Sequence, residues 1–197
     1  MEDITKKEME VLLTLVKSPE VDYNANSISK EVNITSMGAL KILKKLEKEN
    51  ILKPKKIGKA TIYSINIKDN YARRYVELIL SREELYANPK VKRWIQELKK
   101  IKNAELIILY GSVLKNQEPN DIDTLFIVNK NKFQKLQKEI EETNKINIKK
   151  IHPLYQTFED IIDNLKKKHK PLLNAIKGIV ISGQEKFIEV YNESRKE

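Results

Sequence analysis

The sequence predicts an α+β protein in three parts: a helical, basic N-terminal domain closed by a β-hairpin (1–67), a helical linker or dimerisation segment (68–103), and a C-terminal α/β domain (104–197). Three observations carry this prediction. Apolar residues recur at helical 3–4 spacing through residues 4–48 and then alternate at strand spacing around Gly58. Cationic charge concentrates between residues 41 and 59, where eight lysines face only Glu47 and Glu49, so this stretch holds +6 of the net +10. From Leu106 onward, short continuous apolar runs alternate with amphipathic stretches, the pattern of strands and helices sharing one sheet.

Composition narrows the function classes. A chain of 197 residues can bury one large core or two small ones. No apolar run approaches the ~18 residues of a membrane-spanning helix, so no membrane partner is expected. The start, Met1-Glu2-Asp3-Ile4-Thr5-Lys6, carries acids and no apolar core, so no secretory signal is expected and a cytoplasmic location follows as an expectation. There is no cysteine, which excludes a disulfide framework, a thiolate metal site and a Cys nucleophile. The basic balance fits either a polyanionic partner or a solvated surface; its concentration in one segment favours the partner.

The N-terminal elements follow in order. Ile4, Glu8, Val11, Leu12, Leu15 and Val16 give a helix ending near Ser18-Pro19, because proline cannot continue it. Asn26-Ser27 is read as the cap of a second helix that turns Ile28 and Val32 inward. Asn33-Ile34-Thr35 makes a turn, and Thr35 or Ser36 caps a third helix. That helix buries Ala39, Ile42 or Leu43, and Leu46, with Lys41, Lys44, Lys45 and Lys48 on its wet side, and it stops at Asn50, a residue that tolerates the left-handed conformation. Residues Ile51 to Ile65 then read as two short strands joined by a basic turn at Gly58.

Helix, helix, helix, basic hairpin is the order of a winged helix-turn-helix. In that geometry the third helix enters the major groove of double-stranded DNA and the hairpin lies along phosphates. Ser36, Met37, Gly38 and Lys41 are then the readers, while Lys44, Lys45, Lys55, Lys56 and Lys59 neutralise phosphates. DNA binding of this kind needs no cofactor. The stretch Ile28 to Ile65, above all Lys41-Ile42-Leu43-Lys44-Lys45-Leu46-Glu47-Lys48-Glu49-Asn50-Ile51-Leu52, resembles the winged-helix regulators of archaea and bacteria, with Asn50 where those families have glycine. The resemblance implies a transcriptional regulator that meets the transcription machinery.

Residues 68–103 carry two apolar stripes, Tyr75, Val76, Ile79 and Leu80, then Val91, Trp94, Ile95, Leu98 and Ile101 behind the Asn88-Pro89 helix start. Two readings stand: a dimerisation helix giving a homodimer on a twofold DNA site, or a linker packed on its own neighbours.

In the C-terminal part, Leu106 to Tyr110 reads as a buried strand bounded by Gly111-Ser112, and Ile122 to Val128 as a second. A helix through Phe133, Leu136 and Ile140 leads to a third strand placed at Ile146 to Ile151. Thr157 caps a helix, Leu172, Leu173 and Ile176 mark another, Gly178 to Gly183 holds a short strand, and a helix through Phe187, Ile188 and Tyr191 closes the chain.

The chemistry-bearing feature is Gly111-Ser112 followed by Asp121-Ile122-Asp123 entering an apolar strand. Gly-Ser at a strand end offers backbone N–H groups and a hydroxyl to phosphates, which makes a nucleotide a candidate ligand. Carboxylates at i and i+2 on a strand share a side, so Asp121 and Asp123 can grip one Mg²⁺. Tyr110-Gly111-Ser112 and Asn120-Asp121-Ile122-Asp123-Thr124-Leu125 resemble the signature of the minimal nucleotidyltransferases of the DNA polymerase beta superfamily, from about Glu105 to the C-terminus, including the late Gly178-to-Phe187 segment of archaeal members. The resemblance implies a nucleotidyltransferase-like fold with Asp121 and Asp123 catalytic and metal-binding and Gly111 and Ser112 nucleotide-binding.

The resemblance also implies a third carboxylate on the next strand, and Ile146 to Ile151 offers only Asn147, Lys149 and Lys150. Val113-Leu114-Lys115-Asn116 stands where the family has a further glycine. His152 and His169, far apart in sequence, read as ordinary surface or packing residues. Two functions follow. The first is a DNA-binding regulator carrying a catalytically inactive nucleotidyltransferase-like domain. The second is a Mg²⁺-dependent nucleotidyltransferase acting on a protein or RNA, with the winged helix targeting or autoregulating it.

Overall fold

A computed structural model describes residues 4–115 and 119–196. The expectation about the N-terminal start falls partly on residues 1–3, and Asn116 ends the glycine-lacking stretch; both lie outside the described residues. The chain is mixed α+β and divides into two compact units, Met1–Ile79 and Leu80–Glu197. No helix among the described residues is long and apolar enough to cross a membrane.

In the first unit, α1 (Lys6–Lys17), α2 (Ala25–Glu31) and α3 (Ser36–Lys48) precede a hairpin of β1 (Leu52–Ile57) and β2 (Ala60–Ile65). Thr5 and Glu8 form a reciprocal capping box that starts α1, and its apolar stripe, Val11, Leu12, Leu15 and Val16, is buried. The cap of α2 is Asn24, two residues before the position read from the sequence: its side-chain oxygen accepts from both Asn26 N and Ser27 N at 2.9 Å, and Ser27 reaches back to Asn24 N. Asn26 and Ser27 are thus first-turn residues of α2. Thr35 caps α3, and Leu43, not Ile42, is the fully buried member of its core stripe.

Asn50 has φ 60° and ends α3 as expected. The Asn66 amide donates to Asn50 O and Oδ1 at 3.0 and 2.9 Å, tying the hairpin base to the end of α3. The hairpin pairs Leu52 with Ile65 and Pro54 with Tyr63, and Tyr63 N also donates to Tyr23 O at 2.9 Å. Leu52, Tyr63 and Ile65 sit in the core while the distal hairpin stands in solvent. Helix α4 (Asn70–Arg82) follows, its residues up to Ile79 belonging to this unit and burying Ala72, Val76 and Ile79.

In the second unit, β3 (Leu106–Leu109), β4 (Ile122–Ile127), β5 (Ile151–Gln156) and β6 (Ile179–Ser182) form one sheet in the order β5-β4-β3-β6. β3 is antiparallel to both β4 and β6, and β4 is parallel to β5. One face, including Ile107, Leu109, Ile122, Phe126 and Ile181, packs on α5 (Pro89–Leu98) and α6 (Phe133–Ile146) through Trp94, Leu98, Leu136 and Ile140. The stripe Val91, Trp94, Ile95 and Leu98 lies in this core. On the opposite side, α7 (Phe158–Lys166) and α9 (Gln184–Ser194) pack on each other and on β3, β5 and β6, with the short α8 (Lys170–Ala175) between them in sequence.

The third strand differs from the expectation. β5 begins at Ile151, whereas Ile146 ends α6 and Ile148 is 95% exposed. The Ile-Asn-Ile alternation that reads as a strand is a helix end and an open loop. The true strand carries Pro153 at the sheet edge, where a missing N–H is tolerated.

Candidate functional site

The first candidate surface is the start of α3 with the hairpin. Thr35 Oγ1 accepts from Gly38 N at 3.1 Å, and a Cβ on Gly38 would press on that same oxygen. Ser36 Oγ donates to Asn26 Oδ1 at 3.0 Å and lies 3.2 Å from Ser29 Oγ, so its hydroxyl links α3 to α2. Met37 is 74% exposed at the first turn, and Lys41 is exposed one turn later.

The lysines divide into two groups. Lys44 pairs with Glu47 at 2.8 Å in solvent, and that hydrogen bond raises the Lys44 ammonium above its usual pKa. Lys45 is half-buried, not on the wet side: its Nζ lies 2.7 Å from Oε1 of Glu8, a carboxylate buried on α1. The strand-lining and loop lysines differ. Lys41, Lys55, Lys56 and Lys59 are exposed and make no ion pair among the described residues. In the β1–β2 register, Lys53 and Lys55 fall on the side opposite the core residue Leu52; Lys56 falls on the same side as Leu52, and Lys59 follows the Gly58 turn. Charge therefore surrounds the hairpin tip.

The second candidate surface lies at one end of the four-stranded sheet. Tyr110 N donates to Asp123 O at 3.1 Å, extending the β3–β4 ladder, and the β4–β5 register sets His152 beside Asp123. Tyr110, Asp123 and His152 thus form a row on one face across three strands. Gly178 makes the row possible on the β6 side, since a Cβ there would lie 2.8 Å from the Tyr110 Cβ. Burial, then the nearby Asp123 charge, pushes the Tyr110 phenol above its usual pKa.

Asp123 is held from two sides. His152 Nδ1 lies 3.2 Å from Asp123 Oδ1, with the imidazole side chain 70% exposed. On the other side Gly111 has φ 83° and ψ −153°, and a Cβ on it would fall 2.1 Å from Asp123 Oδ2. Only glycine allows both that backbone and that approach. Ser112 opens a single 3-10 turn ending at Leu114. Asp121 precedes β4 and is exposed.

The structure therefore brings Gly111 and Asp123 into contact and adds His152, which reads from sequence as an ordinary surface residue. The displaced third strand explains the omission, because the residue opposite Asp123 follows from where β5 begins. Lys149, one of the residues considered for that position, instead bonds Pro119 O on the loop leading to Asp121; Lys150 donates to Asn147 O at 2.7 Å. No three His, Cys, Asp or Glu side chains among the described residues are gathered closely enough to hold a metal ion. One Asp123 oxygen faces His152 and the other lies against Gly111, so the described residues do not present the carboxylate set that a pair of Mg²⁺ ions needs.

A cavity of about 240 Å³ lies near the other end of the β4–β5 pair, walled by Val128, Phe133 and Tyr155. Its rim groups are already engaged: Gln156 Oε1 accepts from Asn164, and Thr157 holds Asp160 at 2.7 Å, which keeps that carboxyl below its usual pKa.

Comparison with known proteins gives limited likeness. The chain resembles AF1382 from Archaeoglobus fulgidus at 20% identity and TM-score 0.38, covering 43% of this chain and 92% of that one. It also resembles two point variants of ZitR from Lactococcus lactis, each at 19% identity. One has TM-score 0.36 and covers 50% of this chain and 62% of ZitR; the other has 0.30 and covers 51% and 75%. At these identities and scores the likeness carries no argument about function. No curated protein matches the chain. Across residues 45–197 a family model does match, and the chain belongs to the family of unknown function DUF6932.

Proposed function

We propose that this chain is a DNA-binding transcriptional regulator, its N-terminal unit acting as a winged helix-turn-helix and its C-terminal unit being a catalytically inactive nucleotidyltransferase-like domain. The observation that carries this reading is the grouping of exposed lysines without an ion pair among the described residues, Lys41 on α3 and Lys55, Lys56 and Lys59 on the hairpin. These are the two elements that groove docking uses. Met37 and Lys41 meet base edges, and the hairpin lysines neutralise phosphates. Ser36 and Lys45 hold the surface in shape, through Asn26 and Glu8 respectively. The inactive reading of the second unit is supported by the absence, among the described residues, of a third metal-binding side chain beside Asp121 and Asp123, and by the His152 contact of Asp123.

Genome-wide DNA occupancy tests the reading. Wild-type protein is expected at discrete sites that disappear in a Lys41→Ala/Lys55→Glu/Lys56→Glu variant. Occupancy that is featureless, or unchanged by those substitutions, overturns it.

A second reading, nucleotidyl transfer to a protein or RNA, is favoured by one observation: the tight approach of Gly111 to the Asp123 carboxylate beside Ser112, at the end of β3.

A further inference from the structure

A second concentration of free charge lies in the other unit. Residues Asn164 to Gly178 contain five lysines and no acid, and Lys166-Lys167-Lys168-His169-Lys170 are all exposed at the turn between α7 and α8. Lys166 feels the Glu193 carboxylate of α9; Lys167, Lys168 and Lys170 make no ion pair among the described residues. Some lysines of this unit are matched, among them Lys99 to Glu84 at 2.6 Å, Lys100 to Glu97 at 2.7 Å and Lys186 to Glu189 at 2.7 Å.

Local structure explains only half of the cluster. Lys166 and Lys167 stand at the C-terminal end of α7, where the helix dipole favours cations. Lys168 has φ 54°, a conformation that favours glycine or asparagine. Lys170 is the first residue of α8, where a cation opposes the dipole. Two lysines thus occupy positions that the backbone disfavours, at a solvated turn where like charges repel.

We propose that this turn binds the phosphodiester backbone of a nucleic acid, as a contact separate from α3 and the hairpin. Lysine ammoniums act as point charges toward phosphates, so the contact is sequence-independent and salt-sensitive. An anionic bilayer is the poorer fit, because the turn exposes no large apolar side chain to insert: Leu172 is buried and Leu173 half-buried.

The test uses the full chain with the hairpin charge reversed (Lys55→Glu/Lys56→Glu/Lys59→Glu), so that failure here is distinct from failure of the regulator reading. Binding to a fluorescent 20-nucleotide RNA, a duplex DNA of equal length, and phosphatidylserine vesicles is measured across salt concentration. A further Lys168→Gly/Lys170→Glu change removes two cations while suiting the backbone at both positions, so thermal stability is expected to hold or rise. Affinity for at least one nucleic acid is expected to fall roughly tenfold or more at 0.1 M salt, with the log–log salt slope shallower by about 2. The proposal is overturned by unchanged nucleic-acid affinity, by no residual nucleic-acid binding in the hairpin-reversed chain, or by binding confined to the vesicles.

Discussion

The Lys45 ammonium lies 2.7 Å from the Glu8 carboxylate, joining α3 to α1 through a residue that charge patterning alone assigns to DNA. Glu8 is 5% exposed, so removing its partner strands a buried charge. Lys45→Met is expected to cost the first unit about 2 kcal/mol in urea denaturation, and adding Glu8→Leu to recover most of it. Lys41→Ala, at an exposed and unpaired site, should leave stability within about 0.5 kcal/mol while weakening DNA binding.

The same pair sets an acid limit. Burial raises the Glu8 pKa, but hydrogen bonds from Lys45 and from the backbone and hydroxyl of Thr5 outweigh it, so the folded value lies below the usual 4.5. A carboxyl depressed on folding stabilises above its unfolded pKa and loses that contribution as pH falls through the folded value. Glu8→Gln is therefore expected to be less stable than wild type at neutral pH. The gap should close below pH 4.5. A pH-independent gap in parallel urea titrations contradicts this.

Gly111→Ala combines a backbone that alanine resists with a Cβ placed 2.1 Å from Asp123 Oδ2. A loss of about 3 kcal/mol is expected in the second unit. Adding Asp123→Gly opens the space and should restore part of it, leaving the backbone cost. Full tolerance of Gly111→Ala would refute the close approach.

Incubation with labelled nucleoside triphosphates and Mg²⁺ separates the two functional readings. No label transfer to the protein or to added RNA is expected. Transfer that Asp121→Ala/Asp123→Ala abolishes replaces the inactive reading with the enzymatic one.

Legibility in the sequence follows the physics of each signal. The Thr35 cap, the Asn50 stop, the Gly58 turn and the Asn88-Pro89 start are local, and each is where sequence reading puts it. The Asn24 cap is hidden because Asn24, Asn26 and Ser27 offer the same chemistry within one turn. β5 is hidden because Ile146 and Ile148 imitate strand alternation while Pro153 argues against a strand, and its edge position is known only from the assembled sheet. The Asp123–His152 and Glu8–Lys45 contacts join residues 29 and 37 positions apart, and no periodicity encodes such pairs.

DNA binding by α3 and the hairpin is measured as the affinity of the full chain for duplex DNA as a function of salt, wild type beside Lys55→Glu/Lys56→Glu/Lys59→Glu. Log affinity is expected to fall linearly with log salt. The variant should bind more weakly, with a slope shallower by about 3, one for each phosphate that no longer meets a lysine. Equal affinity and equal slope in the two proteins would contradict it.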